Sequence, residues 1–141
     1  MQFSISTLSL FLLPLVSALP TELNTRQSLP TTENGLTSST ACKAVTVIFA
    51  RGTNEAGNVG EIAGPPWFSR LRASLGTAVT TVQGVTYTAN VAGYTAGGSA
   101  TGSKEMLRLI NLAATQCPST KIVLGGYRYV KSCCQINANT Y

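Results

Sequence analysis

An α/β fold built on a parallel sheet is what this sequence predicts, and two observations carry the expectation. Short β-branched, nearly continuous apolar runs recur along the chain, and between them lie segments with helical apolar spacing. Alternation of this kind indicates βαβ units, with strands buried on both faces and helices packed above and below.

The elements follow in order. Residues 44–50, Ala-Val-Thr-Val-Ile-Phe-Ala, form the first strand, and Arg51-Gly52-Thr53-Asn54-Glu55 is a polar turn at its C-terminal end. Trp67, Phe68, Leu71 and Leu75 share a helical face in a segment begun by Pro65-Pro66 and closed by Gly76. Val79 to Tyr87 alternates Val and Thr and reads as a second strand. A loop carrying Gly93, Gly97, Gly98 and Gly102 comes next. Ser103 is then placed to cap a helix with Glu105 in its first turn, whose buried face is Met106, Leu109, Ile110 and Ala113, with Pro118 just past its end. Lys121 to Gly126 is the third strand. There is no internal repeat.

Outside this core the chain is of different character. Residues 1–18 resemble a signal peptide, with an apolar run from Leu8 to Val16 and small residues at Ser17 and Ala18. The run is shorter than the roughly 20 residues a spanning helix needs, so the expectation is a secreted, extracellular protein with no membrane span. Residues 19–41 are rich in Thr, Ser and Asn without hydrophobic period, and read as a propeptide or flexible arm. No Asn-X-Ser/Thr acceptor occurs.

The net charge of +5 comes from ten Lys and Arg against five acidic residues, scattered singly. With no basic run or stripe to track phosphates, nucleic-acid binding is excluded. Four Cys in a secreted chain point to disulfides and allow three connectivities. A bridge between Cys42, just before the first strand, and Cys117, just after the second helix, ties both elements and contributes on the order of 4 kcal/mol. Cys133 and Cys134 are neighbours that could bridge each other only with strain. Zinc does not fit, since the four Cys form no two spaced pairs and the chain has no His. Gly97 to Gly102 has the spacing that opens a phosphate-binding loop, but Ser103-Lys104 reverses the required Lys-Ser/Thr order.

The most informative stretch is Gly125-Gly126-Tyr127 after the third strand, a tight turn of the kind that lifts a nucleophile above a sheet. Taken with Cys42, Phe49 to Glu55, Gln83-Gly84-Val85, Lys104 to Leu107 and Cys117-Pro118 in that order, residues 42–127 resemble the N-terminal half of the fungal cutinases, in the family that also holds acetylxylan esterases. The resemblance implies a cutinase-like α/β-hydrolase, a three-layer sandwich with a central parallel sheet, here truncated after the third strand. It implies a secreted serine esterase that hydrolyses cutin or a related polyester or polysaccharide ester through a Ser-His-Asp triad, acting as a monomer and needing no cofactor or metal.

Against that pattern the chain departs at the catalytic turn. The family elbow reads Gly-Tyr-Ser-Gln-Gly; here Tyr127 matches, but Arg128, Tyr129 and Val130 stand in the last three places. Thr53 matches the hydroxyl residue that the resemblance assigns to the oxyanion hole. The chain has neither His nor Asp, and Ser132 without a base is a weak nucleophile. The expectation is a catalytically incompetent chain with no catalytic residue of its own; a non-enzymatic pseudoenzyme or ester-binding decoy is the alternative.

Residues 128–141 are then a tail foreign to the family. Arg-Tyr-Val can be written AGG-TAT-GTA, placing the splice-donor sequence GTATGT directly after the AG that begins a serine codon. Ala138-Asn139 can likewise be written GCT-AAC, a branch-point sequence, so the tail fits retained intron. Loss of the strands that follow would leave the third strand as an uncovered apolar edge, which favours aggregation.

Overall fold

The computed structural model describes residues 29–128. The signal-peptide reading, Ser132, and the Cys133 and Cys134 pair lie outside that range. Element order is β1 (Val45–Ala50), α1 (Gly64–Leu75), β2 (Thr80–Gly84), α2 (Val91–Thr95), α3 (Ala100–Gln116) and β3 (Lys121–Gly126). The three strands form one parallel sheet in the order β2-β1-β3. This is the α/β architecture expected from the alternation.

β1 lies at the centre, paired with a strand on each edge and buried on both faces from Thr46 to Ala50, and successive side chains alternate between those faces. Ile48 and Ala50 point to one face, where Met106, Leu109 and Ala113 of α3 cover them. Val47 and Phe49 point to the other, against Phe68 of α1 and Val59. Phe49 meets Phe68 edge-on at 5.1 Å between ring centroids and Trp67 at 5.7 Å. Two cores thus sandwich one sheet.

The element ends differ from the sequence reading in instructive ways. α1 starts at Gly64, so Pro65 and Pro66 lie within its first turn, where the missing N–H groups cost no intrahelical bond. Leu75 at its other end is exposed and does not join the buried face that Phe68 presents. β2 stops at Gly84, not Tyr87; the Val85 N–H adds one last bond to β1, at the Phe49 carbonyl 2.8 Å away, and Tyr87 donates its hydroxyl to the Arg51 carbonyl at 2.6 Å.

Part of the glycine loop is helical. Asn90 caps the single turn of α2 by accepting the Gly93 N–H at 2.9 Å. α3 begins a turn earlier than expected: Ser99, not Ser103, is its cap and accepts the Gly102 N–H at 3.1 Å. Ser103 sits inside the helix with its hydroxyl on the Ser99 carbonyl, and Glu105 lies beyond the first turn. Two serines competed for one role, and the extra turn that Ser99 permits decided it.

The segment read as a flexible arm is in part docked on the fold. Gly35 donates its N–H to the Val82 carbonyl at 2.8 Å and Gly84 donates to the Glu33 carbonyl at 2.8 Å, an antiparallel bridge along the outer side of β2. Leu36 enters the α3 core, and Glu33 forms a bidentate pair with Arg72 at 2.8 and 3.0 Å. One edge of the sheet is therefore covered by this strap. The other edge, β3, has no strand outside it among the described residues, and Val123 and Leu124 are each 37% exposed.

Cys42 and Cys117 are disulfide-bonded, closing the chain over a separation of 75 residues and fastening the start of β1 to the end of α3. No helix among the described residues is long and apolar enough to cross a membrane.

Candidate functional site

Parallel α/β sheets gather their functional groups at the C-terminal ends of the strands. At that end β1 gives way to the turn from Arg51 to Glu55, and β3 gives way to Tyr127 and Arg128. Because the two strands pair in register from Val45 with Lys121 to Ala50 with Gly126, both turns emerge at the same level. The Tyr127 N–H extends the ladder by one bond, to the Ala50 carbonyl at 3.1 Å.

The turn after β3 depends on small residues beneath it. A Cβ on Gly125 would stand 2.8 Å from the Trp67 ring and 3.1 Å from Phe49, so the aromatic core of α1 leaves room only for glycine. A Cβ on Gly52 would stand 2.7 Å from the Tyr127 ring, so the first turn also leaves space for the second. Arg128 then takes φ +66°, the left-handed conformation that non-glycine residues rarely adopt. Its guanidinium lies 5.0 Å from the Tyr127 ring centroid.

The turn after β1 is held by Glu55. Its carboxylate accepts the Gly52 N–H at 2.6 Å, the Glu61 N–H at 3.1 Å and the Ile62 N–H at 2.9 Å. Arg51 donates from Nε to the Glu55 carbonyl at 2.9 Å, and its guanidinium sits 5.3 Å from the Tyr87 ring centroid. Asn54, at φ +60°, donates its N–H to the Ala89 carbonyl at 2.7 Å. Three backbone donors on one carboxylate fix the path of the loop that carries Thr53.

Thr53, Asn54, Val91, Tyr94 and Arg128 together line an open cleft of about 720 Å3. The structure thus brings Thr53 and Arg128, distant in sequence, to one cleft. Val91 and Tyr94 come from α2, in the stretch read as a glycine loop, and no local pattern marks them as cleft residues. Glu55 was legible only as a member of a polar turn; a carboxylate three residues after a glycine at a strand end is the signal that could have singled out its role. Among the described residues no group of three or more His, Cys, Asp or Glu could hold a metal ion.

Comparison with known proteins places this arrangement in context. Residues 41–139 match the family model described as Cutinase, a match that runs past Tyr127 and through most of the stretch read as a foreign tail. The chain is 54% identical over 98 residues to a cutinase of Blumeria hordei, an alignment covering 68% of this chain and 41% of that protein. It is 43% identical over 129 residues to cutinase CUT2 of Pyricularia oryzae, covering 90% of this chain and 59% of that one. Among solved structures, a Trichoderma reesei cutinase in complex with a C11Y4 phosphonate inhibitor superposes with a TM-score of 0.65 at 39% identity, over 74% of this chain and 45% of that chain. The chain spans 41% and 59% of the length of these two curated relatives.

Proposed function

The chain belongs to the cutinase family, and from that premise we propose that it descends from a secreted carboxylic-ester hydrolase acting on cutin or a related ester, in a form whose catalytic turn no longer performs the reaction. The observation that carries this reading is the position of Arg128. It stands directly after the Gly-Gly-Tyr turn of β3, at φ +66°, where the family resemblance puts the nucleophilic serine.

Acyl transfer at that turn needs an atom with an available electron pair and a neighbouring base to take its proton. A guanidinium stays protonated and has no acceptor lone pair. The sequence holds no His to serve as the base and no Asp to orient one. What is retained is the scaffold of the site: the Glu55-clamped turn carrying Thr53, the residue the resemblance assigns to the oxyanion hole, and the cleft beside it.

Hydrolysis of p-nitrophenyl butyrate by the purified full chain tests the proposal. The expected rate is that of the uncatalysed reaction, and the Arg128→Ser variant is expected to stay inert as well, since a serine restored without an imidazole lacks its base. Turnover by the wild-type chain that a phosphonate ester abolishes would overturn it.

A second reading, a secreted pseudoenzyme that binds esters without cleaving them, is favoured by the persistence of the 720 Å3 cleft. The genomic sequence separates the two. Codons at Arg128-Tyr129-Val130 that spell a splice donor, followed downstream by Ser-Gln-Gly, indicate an active enzyme encoded at the locus and an intron read as protein here. Codons that do not spell it support the pseudoenzyme. The extension of the family match to residue 139 argues for the latter.

A further inference from the structure

We propose that Asn34 is a deamidation site gated by the strap, and that its conversion to isoaspartate releases the strap from β2 irreversibly. Asn34-Gly35 is the only Asn-Gly pair in the sequence. Such a pair is prone to cyclise, because glycine puts no side chain in the way as its own nitrogen approaches the asparagine side chain.

The docking of the strap explains why this labile pair stands here. A Cβ on Gly35 would lie 2.9 Å from the Val82 carbonyl oxygen, so the strap can rest against β2 only with glycine at this position. Asn34 supplies the acceptor beside it: its Oδ1 takes Asn58 Nδ2 at 2.7 Å and Gln83 Nε2 at 3.4 Å. The two residues that fasten the strap are therefore the two that can react with each other.

The reaction begins when hydroxide removes the Gly35 amide proton. The Gly35 nitrogen then attacks Cγ of Asn34; an N–C bond forms, the Cγ–Nδ2 bond breaks, and the side-chain nitrogen takes a proton from water and leaves as ammonia. Water opens the resulting succinimide at either carbonyl, giving aspartate or isoaspartate, so the sum is one water consumed and one ammonia released.

In the folded chain two contacts hold the first steps back. The Gly35 N–H is donated to the Val82 carbonyl at 2.8 Å, which keeps its proton from the base, and the Asn34 carbonyl is pinned by Asn58 and Gln83. Both contacts belong to the strap and are lost together when it lifts. Asn34 itself is exposed, so water and ammonia have free passage. Base-catalysed hydrogen exchange at Gly35 and cyclisation start from the same amide anion, and so share one gate.

The two products differ in what they permit. Aspartate keeps the main chain unchanged and offers its oxygens to the same two amide donors, so the strap can reseat. Isoaspartate routes the main chain through the side chain and adds a methylene between residues 34 and 35. The bonds on either side of that insertion, Gly84 N–H to the Glu33 carbonyl and Gly35 N–H to the Val82 carbonyl, each 2.8 Å, can then no longer form together. None of these residues lines the cleft, so the site is independent of the reading of Arg128 as a lost nucleophile.

The test is incubation of the full chain in mildly alkaline buffer, with peptide mapping by mass spectrometry and chromatographic separation of the isoaspartyl form. Asn34 is expected to convert rapidly in urea and much more slowly in the folded chain, by the same factor that hydrogen exchange gives for protection of the Gly35 N–H. Asn58→Ala should raise the folded-state rate by about 30- to 150-fold, in step with exchange at Gly35. Purified isoaspartyl chain should lose protection at Gly84, whereas the aspartyl chain keeps it. Conversion of the folded wild-type chain as fast as in urea, no conversion at Asn34 in urea, or full Gly84 protection in the isoaspartyl chain would each overturn the proposal, as would deamidation and exchange rates that diverge in Asn58→Ala. The wild-type comparisons need no variant to fold.

Discussion

Replacing Asn58 with alanine should detach the strap that covers the β2 edge while leaving the sheet assembled. The Asn58 side chain is 6% exposed and its amide joins three segments. Oδ1 accepts the Glu33 N–H at 2.9 Å, while Nδ2 donates to Asn34 Oδ1 at 2.7 Å, to the Glu33 carbonyl at 3.2 Å and to the Gly84 carbonyl at 3.5 Å. Asn58 and Val59 also donate their backbone N–H groups to the Thr31 carbonyl, and these bonds survive the substitution.

Alanine leaves the part-buried Glu33 N–H without its acceptor, a penalty of about 1–3 kcal/mol, and removes the Nδ2 bonds to the strap, worth about 0.5–1.5 kcal/mol each, with the long bond to Gly84. Because the partners can relax toward water on the strap side, a net cost of about 2–3 kcal/mol is expected. Native-state hydrogen exchange reads it locally. Protection of the Gly35 and Gly84 N–H groups, which bond across the strap, should fall by about 30- to 150-fold. Amides in the β1–β3 ladder should change much less. Unchanged protection at Gly35, or an equal loss at every site, would refute the view of the strap as a separately opening unit fastened by this amide.

Other outcomes follow from the same structure. Replacing Cys42 and Cys117 together by alanine should cost about 4–5 kcal/mol by the loop-entropy relation for a separation of 75 residues, seen as a lowered denaturant midpoint against the oxidised chain. Val123→Lys and Leu124→Glu should shift the chain from associating species toward monomer in sedimentation, because charge on an open strand edge opposes edge-to-edge pairing. Glu105 is held below the ordinary carboxylate range by its hydrogen bonds to Arg108, partly offset by burial and reinforced by the charge of the same guanidinium. A depressed folded pKa stabilises above the unfolded value of about 4.3, and that contribution disappears as pH falls through the lower folded value. Since the pair is at the surface, Glu105→Gln should cost no more than about 0.5 kcal/mol at pH 7, and the difference in thermal midpoint should vanish in strong acid.

The sequence by itself determined the layer architecture, because burial on both faces writes a β-branched run such as Val45 to Ala50, and one-sided burial writes the Met106, Leu109, Ala113 spacing of α3. It also identified the disulfide pair and the turn at Arg128, since a reactive turn after a buried strand needs its glycines at fixed places. Tertiary structure alone decided the rest. The strap is polar and aperiodic, and its order comes from Asn58 and Gln83, 24 or more residues away along the chain. Only folding could bring those partners to it. In the same way Val91, Tyr94 and Thr53 share no local pattern with Arg128; they became one cleft because β1 and β3 pair in register and deliver their turns to the same end of the sheet. Periodicity records which face a residue buries, but the partners of a polar side chain are fixed by which distant segments the sheet sets beside it.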